Sequence, residues 1–369
     1  MPQATKKARP KSKGVLVDAA RKADRPPVWA GPCGAGPQGG VTQSLISRWL
    51  SCRERFRLLV IDGWKTQERF TPTLDFGNMW HCAEENLAAN RGWEKPLAEY
   101  SVGLCRRFPL QQNEINDWYE KCRALFPLYV EHWAEHPDVK NRQPLLQEQT
   151  FDVPYKLPSG RTARLRGKWD SVDLIDGGVW IQENKTKSGI DSQAISRQVT
   201  FDLQSMVYIL ALRERQSHKP LVSYGSGASI KGVRYNCVRR AAHKTAESML
   251  EKFGVDSRNG RIGEWFARWQ VTISPADVAK FKRECLDPVL ENMCDDFEWW
   301  SWCRENKADP FDYGRRVVQR HENRHFRLPF GIYSPVHEGG SSDLDALLES
   351  GSTVGLRQVS TLFPELENG

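Results

Sequence analysis

Glu183 and Lys185 end a run, Val179-Trp-Ile-Gln-Glu-Asn-Lys185, whose odd positions read Val, Ile, Glu, Lys. Side chains alternate along a strand, so these four share one side of a sheet. Val179 and Ile181 can anchor that side in a core, which leaves a carboxylate and an ammonium at the strand's end. Gly177-Gly178 just before the run signals a hairpin turn. It folds the run back on the preceding strand, Ala163 to Leu174, and brings Asp170 close to Glu183. Two carboxylates and a lysine at the mouth of a hairpin suit a hard divalent cation held by oxygen ligands. Such an ion, Mg²⁺ or Mn²⁺, binds phosphate oxygens and activates water. The lysine can orient that water or stabilise charge growing on a phosphoryl group.

The neighbouring segments supply further candidates. Ser192 to Arg215 holds no Pro or Gly and reads as one helix capped by Asp191 or Ser192. Gln204 and Tyr208, four residues apart, share a face of it. Upstream, Asp75 to Ala89 reads as a helix carrying His81. Glu85, four residues on, is expected on the His81 face, and Glu84 in solvent.

This order of motifs resembles the PD-(D/E)XK nuclease superfamily. Within it, the RecB-type branch, with its phage exonucleases and CRISPR-adaptation nucleases, is the most similar. By position, Asp170 matches the motif aspartate, Glu183-Asn184-Lys185 the (D/E)-x-K element, and Gln204-x-x-x-Tyr208 the branch's Q-x-x-x-Y motif. Gly77-Asn-Met-Trp-His81-Cys-Ala-Glu84-Glu85 resembles the branch's histidine helix. The resemblance covers about Ser44 to Tyr208. It implies an α/β fold, a mixed central β-sheet flanked by helices (a restriction-endonuclease-like core) with helical additions. It implies metal-dependent hydrolysis of DNA, with exonuclease action in recombination, repair or phage DNA processing as the expected role. Asp170, Glu183, His81 and the main-chain carbonyl of Asn184 would then hold Mg²⁺ or Mn²⁺. Lys185 would handle the attacking water, and Gln204 and Tyr208 would orient the site or the DNA. A helicase or a single-strand annealing protein is the kind of partner such nucleases work with. Two rival readings are a non-catalytic nucleic-acid-binding module and an accessory subunit of a helicase–nuclease complex. The intact Asp, Glu and Lys set speaks against the first.

Some members of the branch carry an iron–sulfur cluster on one early and three late cysteines. Cys52 sits where the early one would be, with Cys285, Cys294 and Cys303 as the late ones. At ~100° per residue one helix would scatter these three around its axis. No cluster is expected, and the nine cysteines read as ordinary thiols.

Composition bounds the rest. At 369 residues, 39% hydrophobic and 27% charged, the chain reads as globular and soluble. No apolar run is long enough to span a bilayer, and the basic N-terminus lacks a signal-peptide core. The cytoplasm, of a bacterium or a phage-infected host, is the expected location. A net charge of +7 suits a polyanionic partner. Cysteine spacing gives neither a disulfide framework nor a C-x-x-C zinc site, and the glycine-rich stretch 31–40 lacks a P-loop's Gly-Lys-Ser/Thr.

Along the chain, 1–40 reads as a disordered basic tail ending in a linker, 41–335 as the nuclease domain, and 336–369 as a tail with a short helix at Asp343 to Glu349. Helices are expected at Ser44 to Leu59 and Glu114 to His136, the latter with an aromatic stripe read as core. Strands are expected at Gln147 to Lys156, Gly232 to Arg240 and Glu264 to Ile273, then a helix from Ser274-Pro275 to about Cys303. Arg164, Arg166 and Lys168 share parity with Asp170, and Lys187 follows the motif lysine. These four are the candidate phosphate contacts, with a solvated strand face as the equal alternative for the first three. His321 and His325 have helical metal-pair spacing but no evident partner.

Overall fold

The computed structural model describes residues 27–51, 53–66, 68–191, 193, 195, 202–218, 229–240, 251, 265–306, 356–363 and 366. Cys52, Ser192, His321, His325 and the expected helix at Asp343 to Glu349 lie outside them. In chain order the principal elements are α1 (Gln43–Ser51), β1 (Trp64–Thr66), α2 (Pro72–Ala88), α3 (Glu94–Arg107) and α4 (Gln112–Ala134). There follow β2 (Arg142–Lys156), β3 (Thr162–Ile175), β4 (Gly178–Lys187), α5 (Leu203–His218), β5 (Ile230–Arg239) and β6 (Phe266–Thr272). The last are α6 (Pro275–Phe281), α7 (Asp287–Glu305) and β7 (Leu356–Gln358).

The chain forms two compact units. One draws on Glu68–Tyr155 and Leu165–Leu286, the other on Met1–Gln67, Lys156–Arg164 and Asp287–Glu367.

The first unit is built on a five-stranded sheet of order β2-β3-β4-β5-β6. The β3–β4 and β5–β6 pairs are antiparallel, and β4–β5 is parallel. The fold is therefore the α/β arrangement the sequence implied, a mixed sheet flanked by helices. The β3–β4 turn lies one residue earlier than Gly177-Gly178. Asp176 and Gly177 both take positive φ, 48° and 74°, and Ile175 pairs with Gly178. Two central residues with φ above zero make the type I′ turn that matches strand twist, and Asp-Gly is a favoured pair for it. The parallel β4–β5 pair needs a crossover, and α5 lies within that connection. Its helix does not run unbroken from Ser192. Asp202 is non-helical and caps α5 afresh, its carboxylate accepting from Ser205 N at 3.0 Å.

Helices α2, α3 and α4 carry the main apolar cluster. Phe76, Met79, Trp80 and Ala83 of α2 pack with Leu97 and Leu104, and with Phe126, Tyr129 and Trp133 of α4. The aromatic stripe of α4 is thus core. Helix α3, with Gly103 inside it and no strong stop signal, was not anticipated. Helix α2 begins at Pro72, three residues before the expected start. Proline suits the first helical position, and Asp75 accepts from Thr71 N at 2.6 Å.

In the other unit, residues 27–40 are an ordered set of turns, not a tail and linker. Gly31, Gly36 and Gly40 take φ of 84°, 74° and 91°, which L side chains rarely adopt. A Cβ on Gly31 would also lie 2.5 Å from the Phe297 ring. These reversals bury Trp29, whose indole meets Phe56 and Phe297 edge-on and donates to Gly40 O at 2.8 Å. Of the three late cysteines, Cys285 lies in a π-helical turn before α7, and Cys294 and Cys303 are buried on α7. The thiol that Cys294 meets is Cys33, at 3.6 Å, which was not in the expected set. Leu362 and Phe363 near the C-terminus are buried, and Leu362 N donates to the Gln38 side chain. No described helix is long and apolar enough to cross a membrane.

Candidate active site

Alternation along β4 holds as far as Lys187. Glu183 and Lys185 point to the α5 side of the sheet, and Gln182 and Asn184 to the α2–α4 side. Glu183 is fully buried. Its Oε2 accepts from Lys185 Nζ at 2.9 Å and from Gln204 Nε2 at 2.8 Å. Gln204 Oε1 in turn accepts from Lys185 Nζ at 2.7 Å. Gln204 thus ties the carboxylate and the ammonium to α5 as a closed triangle. Tyr208, one turn along, is buried against Phe151. Its hydroxyl accepts from Gln204 and from the Lys168 main chain.

Asp170 approaches from β3. The β3–β4 ladder pairs Ser171 with Gln182, one residue short of Asp170 and Glu183. There the Asp170 carboxylate takes over, and its Oδ2 accepts from Asn184 N at 2.9 Å. His81 comes from α2, with Nδ1 3.7 Å from Asp170 Oδ2. The structure therefore brings together Asp170, Glu183, Asn184, Lys185, Gln204, Tyr208 and His81.

It adds one residue that the sequence reading missed. Glu148 of β2 places Oε1 3.9 Å from His81 Nδ1, and its other oxygen pairs with Lys168. Ligand atoms of His81, Glu148 and Asp170 all lie within 4.8 Å of one another. Downstream in β2, Phe151, Val153 and Tyr155 are buried while Asp152 and Pro154 are exposed. By that alternation Glu148 belongs on the outer face. A left-handed φ of 46° at Glu148 interrupts the pattern, and such conformations in non-glycine residues concentrate at functional sites.

On α2 the two glutamates are reversed from expectation. Glu84 turns inward, its Oε1 accepting from Asn236 at 3.0 Å, while Glu85 faces outward, 3.7 Å from Arg91. Of the four candidate phosphate contacts, Lys168 joins the cluster through Glu148. Arg164 donates to Gly34 O and Gly36 O at 2.9 and 2.7 Å, and buried Arg166 sits 3.3 Å from Asp152. The odd positions Ala163, Leu165, Gly167 and Trp169 are all buried, so parity holds along this stretch, and the two arginines are taken up by these partners. Lys187 ends β4, where its carbonyl accepts from Arg240 N at 2.6 Å.

Electrostatics match a site that expects a cation. Burial pushes Glu183 up to about 7, with Lys185 opposing the rise and Asp170 adding to it. Burial likewise raises Asp170, against the pull of His81. Burial works against a charged His81, yet Asp170 and Glu148 outweigh it and push the imidazole to about 9. Protons here substitute for positive charge that the carboxylates lack. Glu183 Oε1 is buried with no hydrogen-bond partner among the described residues. The converging atoms of His81, Glu148 and Asp170 fit a divalent metal. Glu183 is not one of that three-residue group, but it feels the charges of Asp170 and His81 and keeps one carboxylate oxygen unsatisfied.

A model of the PD-(D/E)XK nuclease superfamily matches residues 41–304. The chain belongs to that superfamily. The match takes in β2 to β6 and every residue of the cluster, so the acids, the lysine and the histidine sit in a nuclease core. Superfamily members generally use divalent metals such as Mg²⁺ or Mn²⁺. None of the curated proteins compared with the chain matches it.

Proposed function

We propose that the chain is a divalent-metal-dependent deoxyribonuclease of the RecB type. It acts as an exonuclease in recombination, repair or phage DNA processing. The observation that carries this reading is the buried, unpartnered Oε1 of Glu183, set beside Asp170 and beside a lysine held by Gln204. Asp170, Glu183, His81 and Glu148, with the Asn184 carbonyl, are the groups that would hold Mg²⁺ or Mn²⁺. A bound divalent ion supplies Lewis acidity toward a phosphate oxygen and lowers the pKa of its water.

The chain's own groups do the rest. Lys185 stays protonated, because Glu183 and Asp170 outweigh the effect of burial on its ammonium. It therefore orients the attacking water and stabilises charge on the phosphoryl oxygens, and does not act as a free base. Gln204 keeps Lys185 and Glu183 at fixed separation, and Tyr208 holds Gln204. Lys168 and Lys187 flank the cluster and supply phosphate contacts that set the DNA backbone without reading its sequence.

The test uses the purified full chain with linear duplex, linear single-stranded and covalently closed circular DNA, in Mg²⁺, in Mn²⁺ and in chelator. Linear DNA should be degraded to short products only with metal, and circles should survive. Cutting of circles would make the enzyme an endonuclease. Metal-independent cleavage, or none under any condition, would leave the superfamily fold without the proposed chemistry.

A further inference from the structure

Behind the acidic cluster, on the other side of β4, lies a second polar group that the proposed chemistry does not use. Asn236 of β5 is fully buried and sits directly opposite Asn184 in the parallel β4–β5 register. Its amide Nδ2 lies 2.9 Å from Asn184 Oδ1, 3.0 Å from Glu84 Oε1 and 2.6 Å from the Tyr129 hydroxyl. Its Oδ1 accepts from Arg268 Nε at 3.2 Å. One side chain therefore joins β4, helix α2, helix α4 and β6. Asn184 Oδ1 accepts a second bond, from Gln182 Nε2 at 3.1 Å.

Two of these partners lead directly to the cluster. Asn184 is the residue between Glu183 and Lys185, and its main-chain N–H aims the Asp170 carboxylate. Glu84 lies one turn beyond His81 on α2, so fixing Glu84 fixes the height and rotation of the helix that presents His81. The sheet supplies Asp170 and Glu183, while α2 supplies His81. Apolar packing alone lets a helix slide or turn by small amounts, because dispersion and burial are non-directional. A buried amide with directional partners on both elements sets the helix against the strand. It also has to be satisfied, since an unpaired buried amide is costly.

We propose that Asn236 is a positioning residue of the metal centre. With Glu84 as its partner, it locks the His81 helix to the strand that carries Glu183, so that ligands from two elements converge on one cation. The assignment rests on the proposed metal-dependent reading, and the experiment separates the two.

Mn²⁺ binding to the full chain is measured by calorimetry in wild type, Asn236→Leu, Glu84→Leu and Glu84→Gln. Thermal unfolding and cleavage as a function of Mn²⁺ concentration are followed alongside. Leucine keeps the volume and removes the polar atoms. Glutamine removes the charge of Glu84, which faces His81 electrostatically, but keeps its acceptor oxygen. We expect both leucine variants to bind Mn²⁺ about 10-fold or more weakly, the scale for groups that support metal ligands. Their cleavage should recover as Mn²⁺ is raised, and Glu84→Gln should stay within a few-fold of wild type. If Asn236→Leu does not fold, Glu84→Leu at the half-buried end of the network decides alone. Wild-type Mn²⁺ affinity in the folded leucine variants overturns the positioning role and leaves the metal centre standing. Equal losses in Glu84→Gln and Glu84→Leu also overturn it, since charge and not the hydrogen bond would then be responsible. A wild-type chain that binds no Mn²⁺ overturns the metal-dependent reading itself, and this inference with it.

Discussion

Asn184 N donates to Asp170 Oδ2 at 2.9 Å, so the strand that carries Glu183 also aims the other acid. The two carboxylates are held at a set separation by a main-chain bond, independent of side-chain packing around them. Asp170→Ala and Glu183→Ala should each abolish cleavage while the protein remains folded. Both carboxyls are raised by burial, so their charges oppose folding. Unfolding free energy in chelator at pH 8 should be unchanged or higher by about 1 kcal/mol. Wild-type cleavage rates in either variant would remove that residue from the chemistry.

Lys185→Ala should lose the chemistry and keep the metal. A protonated amine cannot ligate a divalent ion, and its removal takes away a cation that competes with the metal for Glu183 Oε2. Mn²⁺ affinity by calorimetry should match or exceed wild type, and turnover should fall by about 10² or more. Lost affinity with a surviving rate would give Lys185 another role.

Glu148→Gln tests the acid found only in the fold. The Glu148 carboxylate is one of the three, with Asp170 and Glu84, that hold His81 protonated to about 9. Without it, the imidazole should titrate closer to its ordinary 6.5, as followed by NMR of the ring protons in chelator. Mn²⁺ affinity should fall about 10-fold. An unmoved His81 titration would separate Glu148 from the cluster.

Stability of the metal-free protein should decline as pH rises. Glu183 goes from 4.5 in the unfolded chain to about 7 when folded. Between those values the native state binds more protons, so stability present below pH 4.5 is lost by pH 7. His81 behaves in the same direction one window higher, from 6.5 to about 9. Each shift corresponds to about 3 kcal/mol. Melting in chelator at pH 5, 7 and 9 should show the fall, and Glu183→Gln should remove its lower half. Added Mn²⁺ should reverse the trend, because ligands must shed protons to bind metal.

Much of this site was legible because β4 is regular. The period of two in Val179, Ile181, Glu183 and Lys185 survives folding although the β4–β5 register shifts between Val179 and Trp180, and a glycine-containing turn set the hairpin that delivers Asp170. Glu148 was hidden for the opposite reason. The alternation of Phe151, Val153 and Tyr155 places it outward, and only a left-handed backbone brings it in. Glu84 and Glu85 differ by one helical step, and the choice between them depends on how α2 rolls on the sheet, which helix periodicity does not specify. The break at Asp202 carried a readable sign, Asp-x-x-Ser at a helix start, which the absence of Pro and Gly concealed. Arg164 and Arg166 keep the parity read from the sequence, but the Gly34 and Gly36 carbonyls and Asp152 engage them, and strand alternation does not reveal such partners.

The sheet order divides the proposed ligands by how easily each can let go. Glu183 lies on the central strand with neighbours on both sides, whereas Glu148 lies on edge strand β2. Amide exchange at Glu183 should therefore require opening of the sheet, at a free energy near that of global unfolding. Residues around Glu148 should exchange through local fraying. The site would then have a stiff half on β4 and a more yielding half on β2. On the proposed reading, the edge strand's local opening, at a free energy below that of global unfolding, would loosen Glu148 while Glu183 stays in place.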